Sequence, residues 1–178
     1  MRKSVAVLFA TFMMVFVSAS AGSPPGRDIL LVARSVGSWE YTDDAVALLS
    51  DGTRLRFDLR DLPREVLGDT RDLLDFLRYH GLTPGSVLYG RPLPDIKPAL
   101  GAEFTRKVQA LLDEVKDVPF ERKFFAFDAG SFDLYGVIQV DGEARMALLS
   151  ESGTFVGQSQ DPAAKALVAL VGDTLWLD

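Results

Sequence analysis

The sequence of residues 133–150 is DLYGVIQVDGEARMALLS, in which Asp141-Gly142 joins two runs of strand-forming residues. An Asp-Gly pair in this position predicts a β-hairpin with a type I′ turn, because both central residues of that turn need positive φ. Counting outward from the turn gives the expected cross-strand partners: Val137 with Met146, Tyr135 with Leu148, Leu134 with Leu149, and Asp133 with Ser150. Apolar residues occupy both faces, so we expect this hairpin near the centre of a sheet.

A second Asp-Gly pair, Asp51-Gly52, lies between the apolar residues 45–49 and residues 54–60, RLRFDLR. The unbroken polar and apolar alternation in 54–60 predicts a strand with one face in water. A type I′ turn here predicts three cross-strand pairs: Leu48 with Leu55, Val46 with Phe57, and Leu49 with Arg54. Further strands are expected at residues 29–33 and 124–127.

Three segments have the pattern of amphipathic helices: residues 69–81, 98–116 and 161–172. In the first segment Asp69 is the expected N-cap and Gly81 the left-handed end. In the third, Asp161 is the expected N-cap, Pro162 lies in the first turn and Gly172 ends the helix. His80 precedes the expected helix end, where a side chain tends to reach solvent. Residues 166–171 are nearly all apolar and are expected to be buried.

Strands grouped as hairpins, rather than alternating with helices, predict an α+β fold. We expect a mainly antiparallel sheet built from β-hairpins, with about three helices packed on one face. Residues 28–178 are expected to form a single domain, with a lobe boundary within the Pro- and Gly-rich residues 83–97 as the alternative. That segment could also be a binding loop that carries Tyr89 and Arg91, or contain a short strand at 87–89.

The first 21 residues have the three parts of a secretory signal peptide. Arg2 and Lys3 precede the apolar residues 5–17, and Ala19-Ser20-Ala21 supplies small residues for cleavage. The apolar run is shorter than the roughly 20 residues of a membrane span. We therefore expect residues 1–21 to be removed and 22–27 to be a flexible leader, which predicts a bacterial protein that is periplasmic or secreted and keeps no stable membrane anchor.

Composition excludes several classes of function. Without Arg2 and Lys3, the 19 basic and 25 acidic side chains become 17 and 25, a net charge near −8, which disfavours nucleic acid as a partner. The chain has no Cys and a single histidine, His80, so neither a thiol nucleophile nor an ordinary zinc site is expected. No cofactor or metal is predicted.

The segment Phe127-Asp128-Ala129-Gly130-Ser131 resembles the active-site loop of aspartic proteases, and residues 170–173, LVGD, resemble the element that supports that loop. The resemblance covers fewer than ten residues and implies that Asp128 is a catalytic acid. Ala129 replaces the hydroxyl residue, and the chain contains no second Asp-x-Gly-Ser loop to supply the partner carboxylate. The alternative is a tight turn in which Gly130 has positive φ.

Other candidate residues are acidic or aromatic. Asp128, Asp133 and Glu151 are catalytic candidates, since a hairpin that places Asp133 opposite Ser150 would bring these carboxylates together. A solvated acidic surface is the alternative. The candidates for binding are Trp39, Tyr41, Tyr89 and Arg91. Trp176, and by default Trp39, would otherwise fill the edge of the core.

These observations favour an exported, non-enzymatic binding or accessory protein, whose partner is an unknown protein or small ligand outside the cytoplasm. The alternative is a small secreted hydrolase that depends on carboxylates, aspartic-protease-like or glycosidase-like, and uses Asp128. A structural envelope component without a ligand is a third alternative.

Overall fold

The computed structural model describes residues 27–176 except 40–41, 84–85, 89–90, 93, 117–119, 128–129 and 173. The predicted signal peptide therefore lies outside the described residues, as does nearly all of the predicted leader. The strands are β1 (Ile29–Val36), β2 (Asp43–Leu49), β3 (Arg54–Asp58), β4 (Val87–Leu88), β5 (Arg91–Pro92), β6 (Asp95–Lys97), β7 (Phe120–Phe124), β8 (Ser131–Val140), β9 (Glu143–Gly153) and β10 (Phe155–Ser159). The helices are α1 (Arg64–Gly68), α2 (Thr70–Leu82), α3 (Ala102–Glu114) and α4 (Pro162–Val171).

Eight strands form one antiparallel sheet in the order β6-β3-β2-β1-β8-β9-β10-β7. The predicted α+β fold with a mainly antiparallel, hairpin-built sheet is confirmed. β1 lies between the two predicted hairpins and pairs with both β2 and β8. β4 and β5 form a separate small hairpin, so the predicted short strand at 87–89 is present at Val87–Leu88.

The helices cover both faces of the sheet, so the expectation of one helical face was wrong. On the α1–α2 face, Leu73, Leu74 and Leu77 pack against Val32 and Phe57. The α3–α4 face buries a second set of side chains: Val108, Leu112, Ala164, Leu167 and Val171 from the helices, with Leu31, Val46 and Leu48 from the strands. The physical reason is that the central strands carry apolar residues on both sides, and each side needs a cover.

The hairpin of β8 and β9 has the predicted turn, since Asp141 and Gly142 have φ of 53° and 81°. The predicted pairs Val137 with Met146 and Tyr135 with Leu148 are confirmed. The pairs beyond Tyr135 were wrong, because β9 contains one extra residue, Leu149, at a β-bulge.

The hairpin of β2 and β3 differs from the prediction by one residue. Leu49 pairs across the turn with Thr53, and its carbonyl accepts from the Gly52 amide at 2.9 Å, so the loop has three residues. Only Gly52 has positive φ there, 87°, as in a type I turn followed by a left-handed residue. The observed pairs are Leu48 with Arg54, Ala47 with Leu55, Val46 with Arg56, and Ala45 with Phe57.

Arg54 was expected on a wet face, but it is only 3% exposed. Its guanidinium donates to the carbonyl of Pro98 at 2.9 Å and to those of Thr174 and Leu175 at 3.2 Å each. This buried side chain therefore joins β3 to the segment before α3 and to the residues after α4.

The predicted N-caps are confirmed: the carboxylate of Asp69 accepts from two amides of α2, and that of Asp161 accepts from Ala164 in α4. Gly172 ends α4 with φ of 44°. Within residues 166–171, however, only Leu167 and Val171 are buried, because α4 contacts the sheet along one stripe. The second predicted helix is present, shorter, as α3. No helix in the described ranges is long and apolar enough to cross a membrane.

The predicted end of α2 was wrong. Gly81 lies inside the helix, which continues to Leu82. A Cβ at Gly81 would lie 2.9 Å from Leu55 Cδ1, so any larger residue there would force that buried side chain of β3 to shift. His80 is buried instead of solvated, with its Nδ1 hydrogen-bonded to the hydroxyl of Ser86.

Candidate functional site

Asp133 and Glu151 lie directly opposite each other on β8 and β9. The β-bulge at Leu149 shifts β9 by one residue, so Glu151 takes the place that regular counting assigns to Ser150. Directly opposite residues share one face of a sheet and have Cβ atoms about 5 Å apart. The structure thus brings the two candidate carboxylates together, although by a register that was not predicted.

A row of charged residues crosses the sheet at this level. We call it the charged row; it consists of Arg34 on β1, Asp133, Glu151 and Arg122 on β7, with Gly157 on β10 between Glu151 and Arg122. Gly157 has no side chain, and the Arg122 guanidinium reaches across it to within 3.9 Å of Glu151 Oε2. The row lies on the α1–α2 face, because Arg34 donates to the carbonyl of Leu67 in α1 at 2.9 Å.

Arg34 is already engaged by another carboxylate. Its Nε and Nη2 donate to the two oxygens of Asp43 at 2.8 and 2.7 Å, and both side chains are only 13% exposed. Burial lowers the pKa of Arg34, but the hydrogen bonds and charge of Asp43 outweigh it, so the pKa is raised. Arg34 therefore stays charged and is mainly committed to Asp43 rather than to Asp133.

The two opposed carboxylates are poorly satisfied. Burial and the charge of Glu151 raise the pKa of Asp133, against the opposing effects of Tyr135, Arg34 and Arg122. Asp133 accepts a long hydrogen bond of 3.3 Å from the Tyr135 hydroxyl, whose pKa is raised by burial and by the charge of Asp133. Asp133 Oδ1 and Glu151 Oε2 are buried and have no hydrogen-bond partner among the described residues. The Glu151 side chain is only 10% exposed.

Aromatic rings lie beside the charged row. Phe124 contacts Phe127 and Phe155 with ring centroids 4.8 and 6.0 Å apart, and we call these three residues the aromatic shelf. The Arg122 guanidinium lies over the Phe155 ring, 4.3 Å from its centroid. Phe124 is 52% exposed and Phe127 is 86% exposed, so the shelf is open to solvent. The strand predicted at 124–127 was misplaced, since β7 ends at Phe124.

Of the other candidate residues, the structure describes Trp39, Trp176 and the backbone of Arg91. Trp39 is 84% exposed in the loop between β1 and β2, so the default expectation of a core residue was wrong. Trp176 packs on Phe132, with ring centroids 5.8 Å apart. Asp128, Tyr41 and Tyr89 lie outside the described residues. The backbone of Arg91 pairs with Leu88 in the small β4–β5 hairpin.

Residues 128–129 are not described, but Gly130, two residues after Asp128, is. Gly130 has φ of 70°, as expected for a tight turn, and its backbone lies against Val36 in β1.

No protein family, curated protein or solved structure matches this chain. The likeness to aspartic proteases therefore remains confined to the two short segments that first indicated it. Within the described residues, no three His, Cys, Asp or Glu side chains come together in a way that could hold a metal ion.

Sequence reasoning missed Arg34, Arg122 and Tyr135. Tyr135 had a usable signal, because it lies two residues after Asp133 in a predicted strand and must share its face. No sequence signal pointed to Arg34 or Arg122. Their strands pair as β1 with β8 and β7 with β10, and no short turn fixes the register of either pairing.

Proposed function

We propose that the protein is exported and acts outside the cytoplasm as a non-enzymatic binding protein, and that Asp133 and Glu151 receive a positively charged nitrogen group of its ligand. The single observation that carries the ligand class is the pair of buried carboxylate oxygens that have no hydrogen-bond partner among the described residues. Buried polar atoms are nearly always satisfied, so such a pair suggests a missing donor.

The charges favour a cation as that donor. Arg34 is shared with Asp43, and Arg122 is half-exposed and lies beyond hydrogen-bond distance of Glu151. Ammonium and guanidinium groups carry several N–H donors and are the strongest partners of carboxylates. The acidic chain, with a formal net charge of −6, also attracts cations over a distance.

The aromatic shelf supports the same ligand class. Cations bind over aromatic rings, and the position of Arg122 over Phe155 has this geometry. The exposed rings of Phe124 and Phe127 could accept a second cation or the aliphatic part of a ligand. The ligand group could belong to a small amine or to a lysine or arginine side chain of a partner protein.

Titration calorimetry with arginine amide, spermidine and an arginine-rich peptide tests this proposal, with N-acetylcitrulline amide, fully acetylated spermidine and the citrulline-substituted peptide as uncharged controls. We expect Glu151→Gln to weaken binding about tenfold to a hundredfold, because a hydrogen bond to a charged group contributes about 1.5–3 kcal/mol. Glu143→Gln is the matched control, since Glu143 is an exposed carboxylate on the same strand, 3.6 Å from Arg145. Binding of no cation, or equal affinity in both variants, would contradict the ligand class.

Export is tested separately, by mass spectrometry of the native protein from each cell fraction. We expect a chain that begins at Gly22 in the periplasm or the medium. An intact Met1 in the cytoplasm would contradict export and leave the binding result unaffected.

A carboxylate-dependent hydrolase is the second candidate. It is favoured by the raised pKa of Asp133 beside Glu151, because an acid–base pair needs carboxylates with different affinities for protons. The test is a screen of glycan and peptide substrates with Asp133→Asn, Glu151→Gln and Asp128→Asn. Loss of a catalytic carboxylate lowers kcat/KM by orders of magnitude, whereas a binding site shows no turnover to lose.

A further inference from the structure

β7 forms one edge of the main sheet, and within the described ranges only β10 pairs with it. An open edge presents unpaired amides and carbonyls to any strand that can align with it. Four of the seven large apolar side chains exposed in the described part of the chain lie at this edge: Phe124, Phe125, Phe127 and Val156. Exposed apolar side chains concentrated along an unpaired strand are typical of an edge that pairs with another strand.

The sequence of β7, FERKF, is complementary to itself in the antiparallel direction. If two copies align with Arg122 opposite Arg122, Glu121 lies opposite Lys123 of the other copy, twice. In the same alignment Phe120 lies opposite Phe124, also twice. Opposite charges and aromatic pairs at directly opposed positions both stabilise a sheet.

The alignment separates the two kinds of contact by face. Phe120, Arg122 and Phe124 lie on the face of Glu151, whereas Glu121 and Lys123 lie on the other face and are exposed. The two opposed Arg122 residues are unfavourable in this arrangement, because like charges directly opposite each other destabilise a sheet. Each is drawn back over its own strands, because its guanidinium lies near Glu151 and over Phe155.

We propose that two copies of this chain pair antiparallel through β7, centred on Arg122, and so form a dimer with one continuous sheet. This dimer rests on the open edge of β7 and its sequence and does not depend on the proposed ligand. Antiparallel pairing keeps the same face of both sheets on the same side, so the two charged rows would adjoin each other.

Charge reversal tests the register. Glu121→Lys and Lys123→Glu each place like charges opposite at two positions, and each should raise the dimer dissociation constant about tenfold or more in analytical ultracentrifugation. The double variant restores both pairs and should restore the dimer. Glu143→Lys and Arg145→Glu are controls with the same changes in charge at an exposed pair on β9.

A single cysteine gives a second readout, because the chain has none of its own. Arg122→Cys places two thiols at opposed positions, where Cα atoms are about 5 Å apart and a disulfide can form. Mild oxidation should therefore yield a covalent dimer, and Glu143→Cys should not. Circular dichroism confirms that each variant is folded.

The proposal predicts a dimeric protein, weakening by each single reversal, rescue by the double reversal, and cross-linking at residue 122 alone. A monomeric protein would overturn it. A dimer that is insensitive to the reversals, or one that the double variant fails to restore, would show that another surface or register is used.

Discussion

The ion pair of Arg34 and Asp43 offers the sharpest test of how the candidate site is held. Arg34→Met keeps most of the side-chain volume and removes the guanidinium. It leaves the Asp43 carboxylate, 13% exposed, without two hydrogen bonds of 2.8 and 2.7 Å, and the Leu67 carbonyl without one of 2.9 Å. Breaking one side of a buried pair costs about 3–5 kcal/mol. Because slight exposure lets water reach Asp43, we expect the lower end, about 3 kcal/mol.

The assay is urea unfolding of the protein, of Arg34→Met, of Asp43→Leu and of the double variant. The double variant leaves no charge unpaired, so its loss of unfolding free energy should be well below the sum of the two single losses. Arg145→Met is the control, because its pair with Glu143 is exposed and contributes at most about 1 kcal/mol. If Arg34→Met lowers the free energy of unfolding no more than this control, or if the two single losses add, the buried pair does not hold the site.

Three further predictions concern stability. Gly136→Ala should cost about 1–3 kcal/mol in chemical unfolding, because its Cβ would lie 2.7 Å from Leu112 Cδ2 in α3. Burial lowers the pKa of His80 in the folded protein. Near the ordinary histidine pKa of about 6.5, the unfolded chain therefore binds more protons than the folded one. Stability should therefore fall as the pH falls through about 6.5, and the fall should be smaller in His80→Gln. Burial and the charge of Glu151 raise the pKa of Asp133 in the folded protein. The stability that its protonated form gives the folded state is therefore lost as the pH rises above the ordinary aspartate pKa. Asp133→Asn should raise the unfolding temperature at pH 7, and the gain should disappear below about pH 4.

Local signals predicted the local structure well. The Asp141-Gly142 turn and the caps at Asp69 and Asp161 depend on residues within one turn of the chain, and each forms as expected. The Asp51-Gly52 turn was wrong because an Asp-Gly pair also suits a three-residue loop with only the glycine left-handed. Cross-strand packing, which selects between the two loops, is not visible in a single segment.

The candidate site depends on a shift of one residue in the pairing of β8 with β9. The prediction selected Asp133 and Glu151 but could not place them opposite each other, since nothing in the residues around Leu149 marks the bulge. The neighbours of the pair come from β1, which lies about a hundred residues before the hairpin, and from β7, which directly precedes the hairpin in the chain but pairs with β10. Such contacts are decided by the order of strands in the sheet, and composition and periodicity do not contain that order.

The position of β1 has a consequence for how the protein acquires its structure. The first strand of the described chain lies in the middle of the sheet, and its residue Leu31 pairs with Gly136, about a hundred residues later. Contacts between such distant segments slow folding, because a long loop must close before the pairing is rewarded. During synthesis β1 can pair at once with β2, which follows it closely in the chain, but its other edge would stay unpaired until β8 emerges.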